Sequence, residues 1–133
     1  MISMVKLGRY FTLKKLLDVF VLIDKSHRPF EIMMLSSNTW KVLSSTVCSV
    51  EAYRTREQLP KTFFQKISGS MHLIIRHYAK GNIVATLKSY KKQNCIKLGT
   101  NAWKRLVKIC MKDMGKNKSD EPSLVEDMNK MKI

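Results

Sequence analysis

Eight residues in the second half of the chain interleave cations with aromatic rings: Arg76, Tyr78, Lys80, Lys88, Tyr90, Lys91, Lys92 and Lys97. That mixture suits single-stranded nucleic acid, which presents a phosphate at every nucleotide and bases whose faces are free to stack. Lys and Arg follow the backbone, and each stacked ring is worth roughly 1–3 kcal/mol per base. A second, sparser set lies near the start: Arg9, Tyr10, Lys14, Lys15, Lys25, His27 and Arg28. A lysine on an exposed strand often does no more than keep that edge soluble, and an exposed Tyr often packs on its cross-strand neighbour. The cluster as a whole carries the functional reading.

Catalytic chemistry finds little support. The chain has only ten carboxylates, most of them at Glu51–Glu57 or in the last residues, away from the basic stretches. His27, His72 and His77 have no triad or metal partner at local spacing. Cys48, Cys95 and Cys110 are an odd number without CxxC spacing, as expected of reduced, buried thiols in an intracellular protein. No phosphate loop or dinucleotide fingerprint occurs. The expectation is a protein that is not an enzyme and needs no cofactor.

The global charge agrees. Lys and Arg number 25 against 10 Asp and Glu, a net charge of +15 over 133 residues. A folded unit that basic points first to nucleic acid as its partner, and only second to an anionic membrane. No apolar stretch approaches the roughly 18–20 residues of a membrane span. Lys6, Arg9, Lys14 and Lys15 interrupt any apolar core of a secretory signal.

The elements that position these residues are written twice. "MLSSNTWKVL" and "KLGTNAWKRL" place Leu, Asn, Trp, Lys and Leu at the same spacing, and Trp40 and Trp103 are the only tryptophans. Sliding the chain by 63 positions lays residues 8–43 over 71–106 without a gap. Val21, Lys25, Ser26, Leu35, Asn38, Trp40, Lys41 and Leu43 then meet identical residues. The chain reads as an internal duplication.

Each copy predicts strands followed by one helix. In the second, "MHLIIRHY" and "IVATLKSY" flank a hairpin turn at Gly81-Asn82, "NCIKL" supplies another strand, and "KTFFQKIS" an earlier one. Alternation sends Leu73, Ile75, Ile83, Ala85 and Leu87 to a core face, with His72, Arg76, Tyr78, Thr86, Lys88 and Tyr90 opposite. The helix that follows has Thr100 as its expected cap and a stripe of Trp103, Leu106, Val107, Cys110 and Met114. The first copy repeats this with Ser36 or Ser37 as cap and Trp40, Leu43, Val47 and Val50 as stripe. There "VFVLI" is apolar throughout, so alternation does not assign faces to Val19, Val21 and Ile23. Gly115 predicts a helix stop, leaving residues 115–133 as a flexible charged tail.

With these residues in place, the sequence resembles the PC4 family, the transcriptional coactivator p15 and its single-stranded-DNA-binding relatives. The second copy carries the resemblance in "FFQKISGSMHLIIRHYAKGNIVATLKSYKKQNCIKLGTNAWKRL"; the first matches in "VKLGRYFTLKK" and "IMMLSSNTWKVL". The resemblance implies an α+β fold of two units, each an antiparallel curved sheet of about four strands and a helix, paired as an intramolecular pseudo-dimer. The units would span residues 1–60 and 61–114. It places Arg76, Tyr78 and Lys88 where that family contacts DNA, while Asn82 stands where the family usually has a Lys. Function is then single-stranded DNA binding as a transcription or replication cofactor, in a nucleus or at a viral replication site. The alternatives are RNA binding and a protein-interaction subunit of a transcription or packaging complex.

Overall fold

The computed structural model describes residues 3–55, 61–91 and 93–120. The order is β1 (Ser3–Lys6), β2 (Phe11–Lys15), β3 (Val19–Asp24), β4 (Glu31–Ser36) and α1 (Ser37–Thr55), then β5 (Thr62–Lys66), β6 (Met71–His77), β7 (Ile83–Ser89), β8 (Asn94–Leu98) and α2 (Thr100–Asp120). The protein is α+β: two four-stranded antiparallel meanders, β1-β2-β3-β4 and β5-β6-β7-β8, each followed by a helix.

Alternation settles the inner faces. Leu13, Leu22 and Met33 stand side by side across the first sheet, and Ile75, Ala85 and Leu98 across the second. All six are buried, and they share one core with the helix stripes Trp40, Leu43, Val47, Val50 and Trp103, Leu106, Val107, Cys110. The "VFVLI" run, ambiguous in sequence, resolves with Phe20 and Leu22 inward and Val19, Val21 and Ile23 half-buried on the outer face. Phe20 stacks on the Trp40 indole at 4.2 Å.

Each helix covers its own sheet and also packs on the other helix. The Trp40 Nε1–H donates to Asp113 Oδ2 at 2.8 Å, near the far end of α2, and Trp103 Nε1–H donates to Glu51 Oε1 at 3.1 Å, near the far end of α1. The helices are therefore antiparallel, and each tryptophan at the start of one ties down the end of the other. This accounts for both tryptophans: a buried indole needs a partner for its N–H, and the facing helix provides it. The adjoining edges of the two sheets, β4 and β8, are bridged by Asn94 Nδ2–H donating to the Ile32 carbonyl at 2.7 Å.

Four expectations change. The gapless repeat holds from β3 and β7 onward, where all eight identities lie, but it slips in the preceding strand. Leu13 pairs with Leu22 as Ile75 pairs with Ala85, so the counterpart of Leu13 is Ile75 and not Arg76. The β6–β7 turn is centred on Lys80 (φ 62°) and Gly81 (φ 76°), while Asn82 is extended. Thr100 does not cap α2: its hydroxyl accepts from the Ile83 N–H at 3.0 Å, beyond the point where β8 stops pairing with β7. A lone buried donor was the stronger demand on that side chain. Finally, α2 runs through Gly115 to Asp120. Glycine within a helix costs only about 1 kcal/mol, too little to end it. Of the expected tail, residues 121–133 lie outside the described residues, as does the 56–60 connection. Ser36 does cap α1, its Oγ accepting from the Thr39 N–H at 3.2 Å.

Candidate nucleic-acid interface

The outer face of the second sheet is built from the residues that alternate away from the core. Strand pairing sets them in rows: Thr62, Arg76 and Val84; then Phe64, Ile74, Thr86 and Lys97; then Lys66, His72, Lys88 and Cys95. Across these rows runs a line of rings. Phe64 lies 4.7 Å from His72, and His72 meets Tyr90 edge-on, also at 4.7 Å. The Lys88 ammonium sits 5.1 Å from the centre of the Tyr90 ring, a cation–π contact. Phe64 is 56% exposed, so the outer end of this line of rings is open to solvent.

Of the sequence-predicted contacts, Arg76, Lys88, Lys97 and Tyr90 thus meet on one surface. Tyr78 follows β6 and is exposed, and Lys80 stands at the tip of the hairpin. Lys91 is exposed in the β7–β8 turn, and Lys92 lies outside the described residues. Phe64, Lys66 and His72, not among the sequence-predicted contacts, share this surface. In "TFFQK" the two phenylalanines look equivalent; only pairing with β6 turns Phe63 toward the core and Phe64 to solvent.

The surface is electrostatically uniform. Between Glu57 and Asp113 the chain has no acidic residue and twelve Lys and Arg. No cation of this sheet has a carboxylate of its own sheet to pair with, so the sheet's own fixed charges are all positive.

The first copy's candidates do not assemble in this way. Lys14 is on the outer face between Met4 and Val21, whereas Lys15 falls on the other side, its ammonium 5.7 Å from the Phe20 ring. Arg9, Tyr10, Lys25, His27 and Arg28 gather in the loops at one end. There the Arg9 guanidinium lies 5.5 Å from the Tyr10 ring, and the Lys25 N–H donates to the Tyr10 carbonyl. Asp24 shares that end, accepting from the Ser26 N–H at 2.9 Å and lying 3.9 Å from His27, with Glu31 paired beside it. These acids offset the local cations. The outer face itself is apolar, with Val21, Ile23, Ile32 and Met34 adjoining across β3 and β4.

Among the described residues no group of His, Cys, Asp or Glu is placed to hold a metal ion, and no helix is long and apolar enough to cross a membrane. Burial pushes the Cys110 thiol up to about 12 and raises Cys48 as well, which suits packing rather than nucleophilic chemistry. Compared with protein-family models, curated proteins and solved structures, the chain finds no match.

Proposed function

We propose that this protein binds single-stranded DNA across the outer face of its second sheet. The observation that carries the reading is the Phe64–His72–Tyr90 line of rings set among Lys66, Arg76, Lys88 and Lys97 on a sheet without acids. The rings take the bases and the cations take the phosphates. The protein acts by binding alone, without catalysis. The two sheet–helix units work as an intramolecular pseudo-dimer, supported by the crossed tryptophan bonds between antiparallel helices. The resemblance to the coactivator family supports a role as a transcription or replication cofactor.

Fluorescence anisotropy with matched 20-mers across a salt series tests it. Single-stranded DNA should bind at least about ten-fold more tightly than duplex. Four phosphate contacts give a log–log salt slope near −3, at about −0.7 per phosphate. Equal affinity for single strand and duplex would sink the proposal; a clear preference for RNA over DNA would reassign the ligand.

A second reading belongs to the first sheet. Its apolar outer face, with Ile32 and Met34 exposed and Lys14 beside them, suits a protein partner with an apolar centre and acidic margin, as in a transcription or packaging complex. Val21→Lys discriminates. If the strand also crosses this face, the added cation steepens the salt slope by about 0.7; if the face serves a protein, DNA binding stays as it was.

A further inference from the structure

A second concentration of positive charge lies away from the outer face of the second sheet, on the helical side. The β1–β2 loop and the first turns of α2 enclose a groove of about 520 Å³, with Gly8 and Arg9 on one wall and Asn101, Lys104, Arg105 and Lys108 on the other. No carboxylate lines it. Glu51, whose charge senses Lys104, is already engaged by the Arg54 guanidinium and the Trp103 N–H. Arg105 is steadied at the groove by Nη1–H donation to the Lys6 carbonyl at 3.5 Å. Lys104 and Lys108 are four residues apart on α2, hence about 6 Å along its axis.

The plain alternative is a solvated helix face carrying lysines for solubility. The fold supplies its own control against that. With the 63-residue offset that holds for the helices, the counterparts of Lys104, Arg105 and Lys108 on α1 are Lys41, Val42 and Ser45. The same helical face in the other unit therefore does without two of the three cations. The groove also contains no aromatic ring, in contrast to the sheet.

We propose that this groove binds the sugar–phosphate backbone of nucleic acid through two or three consecutive phosphates, with no base contact. With no ring among its lining residues, it takes duplex and single strand alike. The sheet face selects unpaired bases and the groove holds backbone, so one molecule engages nucleic acid on two sides.

The test uses the full chain carrying Lys104→Gln, Arg105→Gln and Lys108→Gln together, and anisotropy with a 20-base-pair duplex across a salt series. Loss of three contacts at about −0.9 per phosphate should flatten the duplex salt slope by roughly 2–3. Binding of an eight-nucleotide single strand, which the stacking sheet dominates, should change less than two-fold. Neutralising Lys41 and Lys112, exposed helix lysines outside the groove, should leave the duplex slope within about 0.5. All these residues are exposed, so tryptophan fluorescence and melting midpoint should match the parent and exclude misfolding. Inorganic tripolyphosphate provides the other arm. If it binds the parent and not the triple variant while the duplex slope is unchanged, the groove reads free phosphate and the proposal is overturned. A triple variant that binds duplex like the parent overturns it as well. Phe64→Ala with Tyr90→Ala reads the sheet separately: unimpaired single-strand binding there would defeat the proposed function and leave the groove result standing.

Discussion

The two sheets have the same topology and opposite outer faces. Each is a four-stranded meander sealed on its inner side by a tryptophan-led helix. Outside, the second presents Phe64, His72 and Tyr90 among cations, whereas the first presents Val21, Ile23, Ile32 and Met34. Only alternation connects the two faces of a strand, so an inner face can be kept while the outer one is rewritten. The inner positions dictate the fold, and the outer positions are free to specify what it touches.

The hardest test of that contrast removes exposed apolar side chains from both faces. Phe64→Ala with Tyr90→Ala should lower single-stranded DNA affinity about 100-fold, if each ring contributes near 1.4 kcal/mol of stacking. Ile32→Ala with Met34→Ala should change it less than two-fold. Comparable losses in anisotropy titrations would show that both faces bind DNA and would erase the distinction.

A smaller effect concerns what the units share. Trp103→Phe and Trp40→Phe each remove a buried indole N–H bond to the opposite helix and leave a void, which costs about 2 kcal/mol. Urea midpoints should fall by similar amounts for both. If one substitution is silent, that crossed bond does not help hold the helices, and the units are less alike inside than they look.

The smallest effect is a pH dependence. The Arg54 guanidinium hydrogen-bonded to Glu51, helped by the Trp103 N–H, holds that carboxyl below its ordinary range. A carboxyl depressed by folding contributes stability that is present above its unfolded pKa, near 4.3, and is lost as pH falls through the folded value. Glu51→Gln should therefore flatten the acid limb of stability against pH below about 4.5, leaving pH 7 slightly destabilised. Denaturation midpoints between pH 3 and 7 check this; an unchanged acid limb would mean that other carboxyls carry it.

The sequence was most informative where one physical rule acted alone. Strict alternation in "IVATLKSY" and the three- and four-residue spacing after Trp103 located β7, the start of α2 and their buried faces. Signals that compete were misread. Thr100 had the right type and place for a cap, but the Ile83 N–H claimed its hydroxyl across 17 residues of chain. Gly115 had the composition of a stop, yet α2 runs through it, since one glycine costs a helix only about 1 kcal/mol. For the candidate site, the outer-face placement of the β6 and β7 residues was legible because they alternate with core residues. The exposure of Phe64 and the ring contacts of His72 were not, since they come from cross-strand neighbours: His72 touches Phe64 on one side and Tyr90 on the other, separated from them by 8 and 18 positions of sequence.

Both sheet–helix units lie on a single chain, and this alters what dilution and mutation can do. Were they separate polypeptides, the crossed tryptophan bonds would form only above some protein concentration; on one chain each helix meets the other at a fixed effective concentration. The helix contact should then persist at any dilution. In a symmetric homodimer every substitution appears twice, so one binding face cannot be altered without its twin. Here a codon change at Val21 leaves Val84 as it was. The apolar and the basic outer face can be inherited, and can drift, independently of one another.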